Sequence, residues 1–237
     1  MSLAFATQYI ERAVSLEESG VEVKIEETAL VWAGWDNAFD IRVNNATVLG
    51  SGGKVLASLP EVSVGFSISA LFRGLIAPNR LEVQGLSATV ERGGDGKFVL
   101  GFFARSDSVA DKEFVNRIPA YISLLSKPGD PSSVFGYLDS VQISDVDIRY
   151  LDGPNGGEWH SPDSDIELLR GDEGMEAIAS MALDFGDRST QLRAHAVFAP
   201  ERPVVDIGIE FDKLFPSDFA ERIAQLRQFE KINLPLS

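Results

Sequence analysis

The chain has 237 residues, of which 44% are apolar and 24% charged, a balance that allows a sizeable globular domain with a buried core. Its 21 basic and 36 acidic residues give a formal net charge of −15. That charge argues against nucleic acid as a partner, because a phosphate backbone is bound by clustered Lys and Arg. With no cysteine, the chain has no disulfide, thiolate nucleophile or cysteine-bound zinc.

The first residues differ in pattern from those that follow. Apolar residues between Phe5 and Leu16 recur at helical spacing, and Gly20 follows as a stop signal, which predicts an N-terminal helix. From Val21 onward apolar residues alternate with charged ones, which predicts half-buried strands. No stretch approaches the roughly 20 apolar residues that a membrane-spanning helix requires, and the N-terminus does not have the pattern of a signal peptide.

Three stretches of the chain resemble one another: residues 41–53, 81–96 and 141–156. Each begins apolar, polar, apolar, continues with two residues that tolerate a turn, resumes the alternation, and ends in a Gly-rich turn. These ends, at 50–53, 93–96 and 153–156, predict hairpins to a following strand.

The break in each alternation has a specific consequence. Val83 and Leu86 are three residues apart, so strict alternation would place them on opposite faces of a sheet. Asn45, Gly85 and Asp145 stand at the same place in their stretches, and these residue types tolerate positive φ. We therefore favour a β-bulge, which restores the face. The alternative is a crossing from one face to the other.

Later strands and three helical interruptions complete the prediction. Further alternating segments predict strands around Val62–Ile68, Ile166–Leu168, Leu183–Phe185, Leu192–Phe198 and Val205–Phe211. A short helical turn is predicted at Ser69–Gly74 and a helical insertion at 102–136. An amphipathic helix is predicted at Pro216–Lys231, with Ser217 as its N-cap.

The expected fold is mainly β (α+β): a long curved antiparallel sheet of about ten strands that forms a trough or incomplete barrel. An N-terminal helix, the mid-chain insertion and a C-terminal amphipathic helix accompany the sheet. The chain is expected to be one elongated domain over 1–237, in which a first half (1–101) and a second half (137–237) flank the insertion (102–136). We also expect it to be a fragment of a longer protein.

No catalytic constellation emerges from the sequence. His160 and His195 are the only histidines, and both are best explained as surface residues. The acidic stretch 152–165 does not have the spacing of an EF-hand loop and is better explained as a solvated hairpin than as a calcium site. We therefore predict a protein that is not an enzyme and uses no metal or cofactor.

The stretch from Leu30 to Lys97 resembles a known family. The residues that carry the likeness are Leu30–Asp36, Ala57–Gly85, Arg92 and Asp95–Phe98, which include Pro-Glu-Val, a Ser-rich strand, a Leu-Phe-Arg-Gly turn and a strand that ends in Gly. They are similar to the N-terminal periplasmic region of AsmA-like proteins (YhdP/TamB type), a likeness that weakens toward Ser237 and includes no catalytic motif.

This resemblance implies a periplasmic protein of Gram-negative bacteria, anchored in the inner membrane by an N-terminal helix that this sequence lacks. It implies a segment of a bridge for phospholipid transport and outer-membrane homeostasis. The implied partners are phospholipid acyl chains, the inner membrane and further repeats of the same full-length chain, with no nucleic acid.

The sequence and the resemblance together predict a lipid-binding or lipid-transfer module whose sheet has one apolar face. The residues expected to line that face are Val62, Val64, Phe66, Leu81, Val83, Val146, Ile148, Ile166, Leu168, Val205, Ile207 and Ile209. The alternative function is a structural or assembly module of the cell envelope. In that case the same residues form a closed core that holds no ligand.

Overall fold

The computed structural model describes most of the β-rich part of the chain. The described residues are 22–31, 40–49, 53, 55–94, 98–103, 129–153, 157–171, 174–185, 188–199 and 205–220, with single positions 228, 231 and 234. The helix predicted at Phe5–Leu16 and most of the insertion predicted at 102–136 lie outside these residues.

Thirteen strands of the described residues belong to one sheet. They are β1 (Glu22–Val31), β2 (Asp40–Leu49), β3 (Val55–Phe66), β4 (Pro78–Gln84), β5 (Ser87–Arg92), β6 (Phe98–Phe103), β7 (Ser140–Ser144), β8 (Asp147–Asp152), β9 (Gly157–Ser161), β10 (Ser164–Gly171), β11 (Gly174–Asp184), β12 (Ser189–Phe198) and β13 (Val205–Phe211). The helical elements in the same residues are α1 (Ile68–Leu71), a 3-10 helix (Val134–Tyr137) and α2 (Pro216–Ala220). The prediction of a mainly β fold is confirmed.

The order of the strands is β1-β2-β3-β4-β7-β10-β11-β9-β8-β5-β6, and β12 and β13 follow on from β11. Three long strands are each interrupted once, and their halves are β4 with β5, β7 with β8, and β10 with β9. The order therefore passes through the halves β4, β7 and β10 first and returns through the halves β9, β8 and β5. The predicted number of about ten strands is lower because each of these long strands is interrupted. The sheet does not close into a barrel.

The expectation of a purely antiparallel sheet is wrong. β4 pairs with β7 in parallel, as does β5 with β8, so the second and third sequence repeats lie side by side and point the same way. Parallel neighbours require a long crossover connection, and the chain between β6 and β7, residues 104–139, is long enough to provide one.

The positive φ predicted at the three breaks is confirmed, with values of 53° at Asn45, 74° at Gly85 and 55° at Asp145. The predicted bulge is wrong, because no residue is extra relative to the neighbouring strand. The pairs Gln84↔Ser144 and Ser87↔Asp147 keep the same offset on both sides of the break. Gly85 and Asp145 occupy corresponding positions in neighbouring strands, so both strands carry the break at the same level and their register is preserved.

The face is nevertheless retained across each break. Val43 and Ala46 of the first repeat, Val83 and Leu86 of the second, and Val146 of the third all belong to one buried cluster. The alternative of a crossing between faces is therefore wrong as well. Three-residue spacing across a positive-φ position places both apolar side chains on the same side.

The predicted hairpins and the short helical turn are confirmed. β2 with β3, β5 with β6, and β8 with β9 are antiparallel neighbours, and each pair flanks one of the Gly-rich stretches in the sequence. α1 is capped by Ser67, whose Oγ accepts a hydrogen bond from the Ala70 N–H at 3.3 Å. Of the predicted C-terminal helix only α2 is described, and it begins at Pro216, so Ser217 lies inside its first turn. No helix in the described ranges has the length and apolar character to span a bilayer.

Candidate functional site

Two rows of apolar side chains cross the sheet from β2 to β13 on one face. Residues paired directly between strands point to the same side, so the register defines each row. The first row is Val43, Val62, Val83, Ile143, Ile166, Ala179, Ala194 and Ile209. The second row is Ile41, Val64, Leu81, Val141, Leu168, Ala177, Ala196 and Ile207.

The exposure of these rows increases across the sheet. At the β2–β4 side, Val43 and Val83 are 4% and 8% exposed, whereas at the β13 side Ile207 and Ile209 are 65% and 58% exposed. The residues between them on β7, β10, β11 and β12 are half-buried. One apolar face is thus closed over β2–β4 and open over β13.

In the open part of this face, small side chains lie between rows of large ones, and we infer from this arrangement that they outline a groove. Its floor consists of four alanines, because β11 and β12 contribute only Ala177, Ala179, Ala194 and Ala196 to the two rows. Its walls are longer side chains, namely Ile166 and Leu168 of β10 on one side and Ile207 and Ile209 of β13 on the other. β10 and β13 are three strand spacings apart, about 14 Å. We call this feature the alanine groove.

One end of the alanine groove is lined by polar groups. Leu168 and Met175 line a shallow surface crevice together with Leu138, Asp139, Ser140, Val141 and Arg170, and this crevice encloses no cavity for a ligand. Desolvation raises the pKa of the Asp139 carboxyl, an effect that the positive charge of Arg170 opposes. Desolvation also lowers the pKa of Arg170. The groove therefore ends at a partly desolvated pair of opposite charges.

The opposite face of the sheet is polar. Arg80 pairs with Asp40 at 2.9 Å and with Glu82 at 3.2 Å, and His195 Nε2 lies 2.9 Å from Glu176 Oε1. The pairs of Arg80 with Glu82 and of His195 with Glu176 are partly exposed and contribute little to stability individually, whereas Asp40 is buried. Their position leaves the apolar face as the surface available for an apolar ligand.

The residues predicted to line an apolar face divide into two groups. Those at the β3–β8 side belong to the core: Val62, Val83 and Val146 are 9%, 8% and 2% exposed, and Val64, Leu81 and Ile148 pack against them. Those at the other side, Ile166, Leu168, Ile207 and Ile209, are the walls of the alanine groove. Phe66 is half-buried beyond the two rows, and the side chain of Val205 lies outside the described set.

Sequence reasoning missed the floor of the groove. The alternation of Leu192, Ala194, Ala196 and Phe198 predicts a strand, but the alternation of this strand alone does not assign its alanines to a ligand face. The signal was present in the sequence, since a second strand, Met175–Leu183, places alanine at the same alternating positions. Small side chains on two adjacent strands, flanked by large ones, are the pattern that indicates a depression.

The two histidines lie in polar surroundings. His160 Nε2 is 3.1 Å from Asp147 Oδ2, and His195 pairs with Glu176. Within the part of the chain that the structure describes, no three histidine or acidic side chains are placed to hold a metal ion.

Comparison of the chain with protein-family models, with curated proteins and with solved structures finds no match in any of the three.

Proposed function

We propose that this chain is a lipid-binding module in which the alanine groove holds phospholipid acyl chains. The observation that carries the proposal is the set of four alanines between two pairs of large aliphatic side chains. In one of these pairs, Ile207 and Ile209, both side chains are more than half exposed. Burial of apolar surface contributes about 25 cal/mol per Å². A hydrocarbon chain in such a groove therefore gains free energy without any polar group that selects a headgroup.

The resemblance to AsmA-like proteins supports a cellular role for such a module. It would form one segment of an inner-membrane-anchored periplasmic bridge that moves phospholipid, and further repeats would extend its curved sheet as a trough. In this proposal the chain performs no chemistry on the lipid. Its contribution is a continuous apolar surface.

The first experiment is mass spectrometry of protein purified without detergent, both under native conditions and after organic extraction. We expect phospholipid at close to one molecule per chain. The double variant Ala179→Phe with Ala194→Phe should lose most of it, because two aromatic rings would fill the floor of the groove. The matched control is Ala182→Phe, since Ala182 lies on β11 but points to the opposite face. Lipid-free wild-type protein would contradict the proposal.

The alternative is a structural or assembly module of the cell envelope. It is favoured by the closure of the face over β2–β4, where the apolar side chains already pack against one another. Under this alternative the wild-type protein is lipid-free and the Ala179→Phe, Ala194→Phe variant changes only stability.

A further inference from the structure

A group of exposed apolar side chains stands outside the two apolar rows. Phe72 is 89% exposed, Ile76 58%, Phe135 52% and Leu71 39%. Phe72, Ile76 and Leu71 lie on α1 and the loop that follows it, and Phe135 lies on the 3-10 helix. We call these four side chains the apolar tip.

The segments that carry the apolar tip are held in place by their own contacts. Arg73 Nη1 donates to Tyr137 Oη at 2.9 Å, and Tyr137 Oη donates to the Pro131 carbonyl at 3.0 Å. Tyr137 also packs with Ala70 and Ala77 in a small buried cluster. The exposure of Phe72 is therefore a property of an anchored loop, since Ala70 before it and Ala77 after it are fully buried.

The apolar tip lies at the end of the alanine groove that carries Asp139 and Arg170. The loop that bears Phe72 leads into β4, and β4 and β7 begin at the same edge of the sheet because they are parallel. Arg170, at the end of β10, donates through Nη1 to the Phe135 carbonyl at 2.9 Å. One hydrogen bond thus joins the groove to the tip.

The size and charge of the tip select among its possible occupants. Four side chains at these exposures offer roughly 400 Å² of apolar surface, about half of the ~800 Å² that each partner contributes to a standard protein interface. A chain with a net charge of −15 is also repelled by a second copy and by anionic lipid. Insertion of aromatic and aliphatic side chains into a zwitterionic bilayer is driven by the apolar area that they bury and does not require a positive surface.

We propose that the apolar tip docks on a lipid bilayer and places the adjacent end of the alanine groove at the membrane surface, where acyl chains enter it. This inference rests on the proposed lipid-binding function and adds the site of lipid entry.

The test uses a single fluorescent label, because the chain has no cysteine of its own. Phe72→Cys is labelled with an environment-sensitive nitrobenzoxadiazole dye and mixed with phosphatidylcholine vesicles. We expect a severalfold rise in fluorescence with a blue shift, as the dye leaves water. The matched control is Gly94→Cys, because Gly94 is exposed and lies beyond β5, at the opposite end of the β4–β5 strand. An unchanged signal at position 72, or an equal rise at position 94, would overturn the proposal.

Unlabelled protein provides a second readout. Phe72→Ser with Ile76→Ser should reduce sedimentation with the same vesicles by about tenfold or more, while the circular dichroism spectrum is unchanged because both side chains point into solvent. If the same variant instead abolishes a concentration-dependent dimer of the wild type, the occupant is a second copy and the bilayer proposal fails.

The two proposals fail in different ways. If phospholipid is found in the organic extract but the protein does not bind vesicles through Phe72, the lipid-binding function of the groove stands and the proposed entry of lipid at the apolar tip fails. If the protein binds vesicles through Phe72 but is purified without lipid, the apolar tip docks on membranes and the lipid-binding function of the groove fails.

Discussion

Gly129 and Gly136 lie where two backbone segments meet before β7. A Cβ atom on Gly136 would collide with the backbone of Asp130, and one on Gly129 would collide with the Gly136 carbonyl. The intervening turn is closed by Asp130, whose Oδ1 accepts hydrogen bonds from Ser132 N–H at 2.9 Å and from Ser132 Oγ at 2.7 Å. These hydrogen bonds lower the pKa of Asp130. Glycine is required here by close approach, because neither residue has a positive φ.

We expect Gly136→Ala to lower the free energy of unfolding by about 1–3 kcal/mol, the usual cost of overpacking against atoms that cannot move aside. Urea denaturation measures it. The control is Gly208→Ala on β13, where an added Cβ meets nothing within 4 Å. If both substitutions change the free energy of unfolding equally, the close approach of the Asp130 backbone does not require glycine at position 136.

At the scale of elements, the breaks in the strands decide how the sheet bends. Their positions were predictable because Asn, Gly and Asp recur at one place in three similar stretches, and only such residues tolerate φ near 55–75° at low cost. The register across the breaks was not predictable. It depends on which strands become neighbours, and the parallel contact of β4 with β7 is set by a crossover whose sequence does not specify its path.

The break at Asp145 makes a testable distinction between residue types. Asp145→Gly should leave the free energy of unfolding nearly unchanged, because glycine adopts positive φ freely. Asp145→Val should lower it by about 1–3 kcal/mol, since a β-branched residue is strained in that region. Thermal unfolding of both variants and the wild type measures the difference. If the valine variant is as stable as the glycine variant, position 145 does not impose a positive φ that strains a β-branched residue.

At the scale of the whole molecule, the residues of the apolar face were predictable from the sequence, but the part of that face that is exposed to solvent was not. Alternation in β3, β10 and β13 identifies which side chains share a face, but burial depends on what packs over that face. Val62 and Ile209 belong to the same row, yet they are 9% and 58% exposed. No local pattern distinguishes them, because the difference arises from the core cluster that covers only one side of the sheet.

The edge strand β13 also bears on the association of whole molecules. It pairs only with β12 in the described sheet, and residues 206–210 are all exposed. Antiparallel pairing of two copies about Gly208 would place Asp206 opposite Glu210 of the second copy, where like charges repel. This arrangement opposes self-association through the edge.

Replacing both acidic residues, as Asp206→Val with Glu210→Val, should therefore convert a monomer into oligomers that grow with protein concentration. Size-exclusion chromatography with light scattering measures this. Glu91→Val with Glu176→Val removes the same charge from β5 and β11, which are paired on both sides, and should stay monomeric. Oligomers in both variants would point to net charge alone.

The parallel contact between the second and third repeats has a consequence for the order in which the protein folds. Arg80 pairs with Ser140, so β4 meets its partner only 60 residues later in the chain (140 − 80). During synthesis the hairpins β2–β3 and β5–β6 can form at once, whereas this edge of β4 remains unpaired until the long connection and β7 have emerged. Ribosome-bound chains that end before Ser140 should therefore be the species most prone to aggregate and the natural clients of a chaperone.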